Sequence, residues 1–149
     1  MTSKNAAQSP ELCSMARALG VVGDRWSFLI LREAMAGARR FSEFRAALGI
    51  STDILTSRLS ALVGSGVLER RSYQQTGSRT RDEYVLTPAG RQLAVVLASL
   101  QQWGDVHVPG TVPSIRFTDP SGQPVRVGFL DGAGNPVEDS RIQAVRPRP

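Results

Sequence analysis

Apolar residues in the first fifty positions recur every three or four residues, the spacing of helices that bury one face. Segment 9–11, Ser-Pro-Glu, joins a capping hydroxyl to a first-turn proline and a carboxylate. It predicts a first helix over about residues 10–19, after which Gly20 and Gly23 break the pattern. Asp24 predicts the cap of a second helix, which ends at Gly37.

Two further helices are predicted on either side of a short turn. The apolar spacing over 41–48 predicts a short third helix that Gly49 ends, and Ser51 predicts the cap of a fourth helix over about 52–64. Leucines fall on one side of the fourth helix and small polar side chains on the other. The polar set is Asp53, Thr56, Ser57 and Ser60. Such a face would let the helix lie close to another surface, although an ordinary solvated face has the same pattern.

After the fourth helix, apolar residues alternate as they do in strands. Segments 67–73 and 83–86 predict two strands, and the stretch 74–82 between them contains no large apolar residue. A hairpin with an extended tip is therefore expected. The segment from residue 70 to residue 81 contains a cluster of arginines and no acidic residue. The cluster consists of Arg70, Arg71, Arg79 and Arg81.

Thr87 and Pro88 predict the cap and first turn of the longest apolar helix in the chain. Its apolar stripe is broader than the core of one small domain needs, which implies a partner helix. Our hypothesis is that two copies of the chain associate through their first and last helices. The expected interface residues are Leu12, Met15, Leu19, Val96, Leu100 and Trp103.

Past the last helix the composition shifts to proline, glycine and aspartate. Segments 119–125 and 131–137 both fit the template D-x-x-G-x-P-V, which predicts two similar tight turns in a small β-rich appendage. The expected organisation is a flexible N-terminus over 1–8, a principal domain over 9–108 and an extension over 109–149 with a frayed end.

The chain of 149 residues has one cysteine and one histidine, which excludes a disulfide scaffold and a structural zinc finger. No apolar signal segment opens the chain, and the longest apolar stretch, 93–100, is too short to span a bilayer. We therefore expect a soluble, cytoplasmic protein without membrane association.

The net charge is +5 and the pI is about 10.6. Only one of the basic residues is a lysine, so the positive charge is almost all guanidinium, the group suited to phosphate and guanine. A polyanionic partner is indicated. Genome composition alone can also enrich arginine, but it does not require the clustering seen on the hairpin.

Four helices, a basic hairpin and a final helix give the expected order H-H-H-H-β-β-H. We interpret this order as a winged helix-turn-helix, a mainly α fold with a small β wing, followed by a short β-rich C-terminal appendage. In such a fold the fourth helix enters the major groove of double-stranded DNA. The wing arginines contact phosphate or the minor groove.

Several short motifs occur in unbroken order between about residues 11 and 104. They are Gly23-Asp24-Arg25-Trp26, Ile30-Leu31-Arg32-Glu33, Arg40-Phe41-Ser42-Glu43-Phe44, Leu55-Thr56-Ser57-Arg58-Leu59, Gly66-Val67-Leu68-Glu69-Arg70 and Tyr84-Val85-Leu86-Thr87-Pro88-Ala89-Gly90. Together they resemble the HxlR-type family of bacterial transcription regulators. The resemblance implies a homodimeric winged-helix DNA-binding protein, dimerised through its first and last helices, that acts as a repressor or an activator.

Two regions depart from the family pattern. The wing often carries prolines before its second strand, and this chain has none over 76–82. The extension is similar to the zinc-ribbon-like tails of some such regulators, which have C-x-x-C-G knuckles. Here aspartate and small residues stand in place of the cysteines, so no metal site is expected.

Contacts with DNA are expected from the fourth helix, from the residue before the third helix and from the wing tip. The candidate residues are Arg40, Ser51, Thr52, Asp53, Thr56, Ser57, Arg58, Ser60, Arg79 and Arg81. Arg58 lies near the edge of the leucine face, where we expect a phosphate contact rather than base reading. Arg70 and Arg71 could equally be solvated strand residues.

Cys13 is placed in the first turn of the first helix, where free N–H groups favour a thiolate. The resemblance implies that a cysteine in this region can sense oxidants or electrophiles. The alternative is a small apolar residue packed at the dimer seam. His107 is expected to be a plain surface or interface residue.

No glycine-rich phosphate loop and no nucleophile with a base and an acid can be recognised, so neither an enzyme nor a bound cofactor is expected. Two alternatives stay open. One is a winged-helix module whose basic hairpin binds a protein instead of DNA. The other is a regulator gated by a small-molecule effector, with a pocket to which the tail contributes.

Overall fold

The computed structural model describes residues 13–74, 76–77, 79–110 and 112–146. The chain divides into two compact units, with the division between Ala94 and Val95. The shift in composition along the sequence predicts a domain boundary after Val108 instead. The last helix accounts for the difference, since its side chains are hydrogen-bonded to the extension. Among the described residues, every helix is too short or too polar to traverse a lipid bilayer.

The first unit contains four helices before the wing. They are α1 (Ser14–Val22), α2 (Arg25–Met35), α3 (Phe41–Leu48) and α4 (Thr52–Gly64). The predicted bounds of the third and fourth helices are confirmed. Those of the first are wrong, because Cys13 has an extended backbone and α1 continues through Gly20 to Val22. Of the two glycines expected to break the pattern, Gly23 ends this helix, and its N–H donates to the carbonyl of Leu19. The Ser9 cap lies outside the described residues.

Side-chain caps set the starts of α2 and α4 at their predicted residues. The Asp24 carboxylate accepts from the backbone N–H groups of Trp26 and Ser27 at 2.9 and 3.2 Å. Ser51 Oγ accepts from Ile54 N–H at 3.4 Å. Gly49, between α3 and α4, takes a left-handed conformation with φ of 59°, which a glycine adopts without strain.

The helices of the first unit enclose one apolar core, to which the start of the wing contributes. Its largest fully buried side chains are Ile30, Leu31, Phe44, Leu55, Leu59, Leu62 and Leu68. Three of these are the leucines of α4, so the apolar face of that helix is completely used in packing. This burial fixes which face of α4 is turned to solvent.

The predicted hairpin is confirmed as an antiparallel pair, β1 (Leu68–Tyr73) and β2 (Arg81–Leu86). The second strand begins two residues earlier than predicted, because Arg81 and Asp82 pair with Tyr73 and Ser72. The segment before α3 joins it, since the N–H of Tyr84 donates to the carbonyl of Arg39 at 2.7 Å. Arg40 forms an isolated bridge with Glu83. The wing is therefore attached directly to the start of α3.

The expected single helix after the wing is two helices, α5 (Pro88–Gln92) and α6 (Ala94–His107). Thr87 caps α5 as predicted, and its Oγ1 accepts from Gly90 N–H at 3.0 Å. Gly90 packs so closely on the wing that an added Cβ would lie 2.2 Å from the Val67 carbonyl oxygen. The break follows at Leu93, whose N–H bonds to the carbonyl three residues back instead of four.

The second unit joins α6 to a small β-rich extension, which contains β3 (Phe129–Leu130) and β4 (Pro136–Val137) as an antiparallel pair. The two predicted turns are present and nearly identical. Asp119 accepts from the backbone N–H groups two and four residues ahead, and Asp131 does the same. Gly122 and Gly134 both have φ of 85°, which accounts for glycine at the same offset in each repeat.

Candidate nucleic-acid interface

The polar face of α4 is turned to solvent. All four side chains predicted for this face are exposed, namely Asp53, Thr56, Ser57 and Ser60, and so is the candidate contact Thr52. Thr56 Oγ1 donates to the carbonyl of Thr52 at 2.8 Å. Ser51, the cap, is also exposed. One apolar residue, Ile54, shares this surface and was missed, since it lies outside the leucine row.

The environment of Arg58 differs from that expected for a residue that contacts phosphate. Its Nε is 3.3 Å from Asp24 Oδ1, the same oxygen that caps α2, and this Nε is buried without a hydrogen-bond partner among the described residues. The pair ties α4 to the start of α2, so part of the Arg58 charge is already balanced. The sequence indicates only the capping role of Asp24, because the ion pair joins residues 34 positions apart in two helices.

The arginine cluster of the wing separates into paired and unpaired groups. Arg70 Nε lies 3.5 Å from Asp82, and Arg71 lies 3.0 Å from Glu69. The bond from Arg71 lowers the pKa of Glu69, as its charge also does. Exposed Arg79 and Arg81 form no ion pair with a described residue. The free positive charge of the wing is therefore at its tip.

A cleft of about 380 Å³ separates the start of α3 from the wing. Arg40 and Arg81 line it together, although 41 positions separate them in the chain. The guanidinium of Arg40 lies 5.1 Å from the ring centre of Tyr73, which holds it over an aromatic face. Ser42 adds a hydroxyl to the same cleft. The sequence indicates both arginines but not their meeting, which depends on the bridge between Arg40 and the wing.

The backbone at the start of α3 is already occupied by a side chain. The carboxylate of Glu43 accepts from the N–H groups of Arg39 and Arg40 at 2.8 and 2.9 Å. These two bonds lower the pKa of Glu43. An anion in the cleft would therefore be held by the side chains of Arg40 and Arg81 rather than by the helix terminus.

Large apolar side chains are exposed on α1 and α6. Met15 and Leu19 are 72% and 55% exposed, and on α6 Leu100 and Trp103 are 56% and 60% exposed. Val96, the remaining described residue of the predicted interface, is also exposed, and Val21 extends the surface of α1 beyond the prediction. Leu12 lies outside the described residues.

Cys13 is exposed and occupies the N-cap position of α1 rather than its first turn. His107 is exposed at the end of α6, with its ring centre 5.2 Å from that of Trp103. No three side chains of His, Cys, Asp or Glu converge within 13–74, 76–77, 79–110 and 112–146 in a way that could hold a metal ion.

A helix with a solvent-facing polar side, packed behind α3 and flanked by a β hairpin, defines a winged helix-turn-helix protein. Residues 21–111 match the HxlR-like helix-turn-helix family. The chain belongs to this family, which confirms the resemblance carried by its motifs. The family is one of helix-turn-helix proteins, and the relatives described next are named as transcriptional regulators.

Curated relatives agree with this assignment. Rv3095 of Mycobacterium tuberculosis, an uncharacterised HTH-type transcriptional regulator, is 47% identical over 96 residues, which are 64% of this chain and 60% of that protein. This chain therefore matches about three fifths of the length of that relative. YybR of Bacillus subtilis, which has the same description, is 31% identical over 68% of this chain and 81% of its own length.

Solved structures show the same fold. PA1607, a candidate transcription factor, superimposes with a TM-score of 0.76 at 37% identity and covers 98% of this chain and 100% of its own. The redox regulator HypR in its reduced form gives a TM-score of 0.59 at 28% identity over 65% of this chain and 95% of its own. The likeness to PA1607 extends into the C-terminal extension, whereas that to HypR covers about two thirds of the chain.

Proposed function

We propose that this protein is a sequence-specific, DNA-binding transcription regulator that acts as a homodimer. The observation that carries the proposal is the arrangement of α4, whose leucines are fully buried and whose small polar side chains face solvent. Hydroxyl groups can contact either base type or phosphate, and the carboxylate of Asp53 can accept from cytosine. Short side chains also let the helix approach the floor of the major groove.

The wing supplies the charge for binding the DNA backbone. Arg79 and Arg81 have no carboxylate partner among the described residues, so their guanidinium groups are available for phosphate or for the minor groove. Arg40 shares a cleft with Arg81, and the two guanidinium groups can bind one phosphate. Arg58 is proposed to position α4 through Asp24 more than to bind phosphate.

Homodimer formation is supported by the exposed apolar side chains of α1 and α6. A stable soluble chain rarely leaves large apolar side chains in water on successive turns of a helix, as Met15 and Leu19 are on α1 and Leu100 and Trp103 are on α6. A second copy would cover them with the same residues. Two copies would also present two α4 helices, which a palindromic operator with half-sites one helical turn apart would match.

The polar face of α4 can be tested with a single added charge. We expect Ser57→Glu to weaken binding to the DNA flanking the protein's own gene by at least about tenfold, because a carboxylate would face the phosphates. Ser114→Glu, an equally exposed serine in the extension, is the matched control and should bind as the parent does. Gel retardation with purified protein measures both.

The outcome also separates the two classes of function. Equal retardation by parent and Ser57→Glu would remove α4 from the interface. If the folded parent protein retards no fragment of that DNA, the result favours the alternative function, in which the basic hairpin binds a protein partner.

The contribution of the wing can be read from the salt dependence of binding. Each phosphate neutralised adds roughly 0.9 to the slope of log K against log salt, so Arg79→Ala with Arg81→Ala should flatten it by about two. The pair Arg70→Ala and Arg71→Ala is the control, since carboxylates already balance these arginines. An unchanged slope for the variant with Arg79→Ala and Arg81→Ala would exclude the wing from the DNA interface.

Sensing of an oxidant through Cys13 is a separate prediction. The thiol is exposed, so a peroxide or quinone can reach it. We expect oxidant treatment to release the parent from its operator and to leave Cys13→Ser bound. Equal release of both proteins, or of neither, would exclude the switch while leaving DNA binding intact.

A further inference from the structure

A groove of about 340 Å³ lies within the second unit, between α6 and the extension. It is separate from the polar face of α4 and from the wing. Its volume falls at the lower end of the range for small-molecule sites in proteins. Its lining combines aromatic and aliphatic side chains of the extension with three charged residues, Asp105, Arg116 and Arg126.

Hydrogen bonds from α6 hold the groove in shape. Gln101 Nε2 donates to the carbonyl of Ile115 at 2.8 Å. Gln102 makes two bonds to Val127, because Nε2 donates to its carbonyl at 3.0 Å and Oε1 accepts from its N–H at 2.7 Å. A side-chain amide that satisfies both backbone groups of one residue acts like a strand partner. The two walls of the groove are thus fixed without a ligand.

The charges on the extension wall are arranged unfavourably for an empty site. Thr118 bridges Pro124, and the N–H of Val125 donates to the carbonyl of Phe117 at 3.0 Å. Arg116 and Arg126 each lie two residues beyond this bridge, and both line the groove. Like charges that line one groove repel each other. Neither guanidinium has an ion-pair partner within the described chain.

An anion between the two arginines would remove this repulsion, and the apolar lining indicates what the anion is attached to. Phe117 and Val125 line the groove beside the arginines, with a proline on each strand. We propose that the groove binds a small aromatic carboxylate, whose carboxylate is held by Arg116 and Arg126 and whose ring lies against Phe117. Asp105, on the α6 wall, opposes the anionic charge and sets the ligand's orientation.

The site does not depend on the proposed DNA contacts. On α6 the groove residues lie on the side opposite to Val96, Leu100 and Trp103, so a ligand and a second copy of the chain can both reach the helix. Binding can therefore be measured on the chain of 149 residues with no DNA present. Its failure would leave the regulator proposal untouched.

Benzoate is the probe, and isothermal titration of the full chain is the measurement. We expect Arg116→Gln and Arg126→Gln each to weaken benzoate binding by about tenfold or more, because each removes a charge-assisted hydrogen bond. Asp105→Asn should instead tighten it, by about threefold, because it removes a repulsive charge. Substitutions in one groove that change the benzoate affinity in opposite directions distinguish an effect on ligand contacts from a loss of structure.

Matched controls complete the test. Arg141→Gln removes an arginine of the extension that does not line the groove and should bind benzoate as the parent does. Benzamide, the neutral isostere, should not bind. The proposal is overturned if benzoate gives no binding heat, if the Arg116→Gln and Arg126→Gln double variant binds equally well with an unchanged Tm, or if inorganic phosphate displaces benzoate with higher affinity.

Discussion

Helices α4 and α6 have nearly the same length, 13 and 14 residues, but they expose opposite kinds of surface. All three leucines of α4 are fully buried and its exposed side is built of hydroxyls and a carboxylate. On α6 a tryptophan and a leucine are more than half exposed. A polar face suits a hydrated polyanion, whereas an apolar face needs another protein surface. This difference suits α4 to the proposed DNA binding and α6 to the proposed self-association.

The largest expected effect is a loss of stability on substituting the buried side of α4. Leu59→Ala should lower the free energy of unfolding by about 2–5 kcal/mol, because it opens a cavity in a fully packed core. Ser60→Ala, the neighbouring exposed position, should change it by less than about 0.5 kcal/mol. Urea denaturation of both variants is the measurement. Similar losses would mean that the two sides of α4 are not distinct.

The next effect concerns the exposed side of α6. Leu100→Glu should raise the dissociation constant of the dimer by about 10- to 100-fold, since burying one leucine contributes about 1.5–3 kcal/mol. Leu130→Glu, a similarly exposed leucine of the extension, should leave the constant unchanged. Sedimentation over a range of concentrations measures it. An unchanged dimer mass for Leu100→Glu would count against this interface.

A smaller effect tests how α4 is held. Asp24→Ala removes both the α2 cap and the partner of Arg58, and should cost about 1 kcal/mol for the cap alone. Asp24→Asn keeps an acceptor for the cap and removes the charge, so it should lose less than about 1 kcal/mol. Thermal melting gives the stabilities, and operator affinity tests the positioning role. Equal losses in the two variants would show that the charge matters more than the cap.

The smallest effect is a pH dependence in the extension. Hydrogen bonds donated by Asn135 and Ala133 lower the pKa of Asp131, and bonds from Ser121 and Gln123 lower the pKa of Asp119. Both carboxyls therefore stabilise their turns above pH about 4, the ordinary range of aspartate, and lose that contribution as pH falls through the lowered values.

Amide chemical shifts of Ala133 and Asn135 can follow this titration. They should move together at a pH below the ordinary aspartate range, whereas in Asp131→Asn they should not titrate. A midpoint at or above the ordinary aspartate pKa would contradict the hydrogen-bonded turn.

Local signals in the sequence were sufficient for much of this architecture. A cap such as Asp24 acts over three residues, and the leucine spacing of α4 acts within one helix, so both can be read without tertiary contacts. The two D-x-x-G-x-P-V turns belong to the same class, because each aspartate bonds backbone groups only two and four residues away. The same local signal was insufficient at Leu93, where the close approach of Gly90 to Val67 accompanies a break in the helix.

The amino-acid sequence by itself determined the order of elements, the family and the polar side of α4, because these depend on periodicity and on short-range bonds. Tertiary structure alone decided which charges remain free. Register paired Arg70 with Asp82, helix packing paired Arg58 with Asp24, and the fold of the extension brought Arg116 and Arg126 to one groove. Two charges interact according to their distance in space, and their separation along the chain does not reveal that distance.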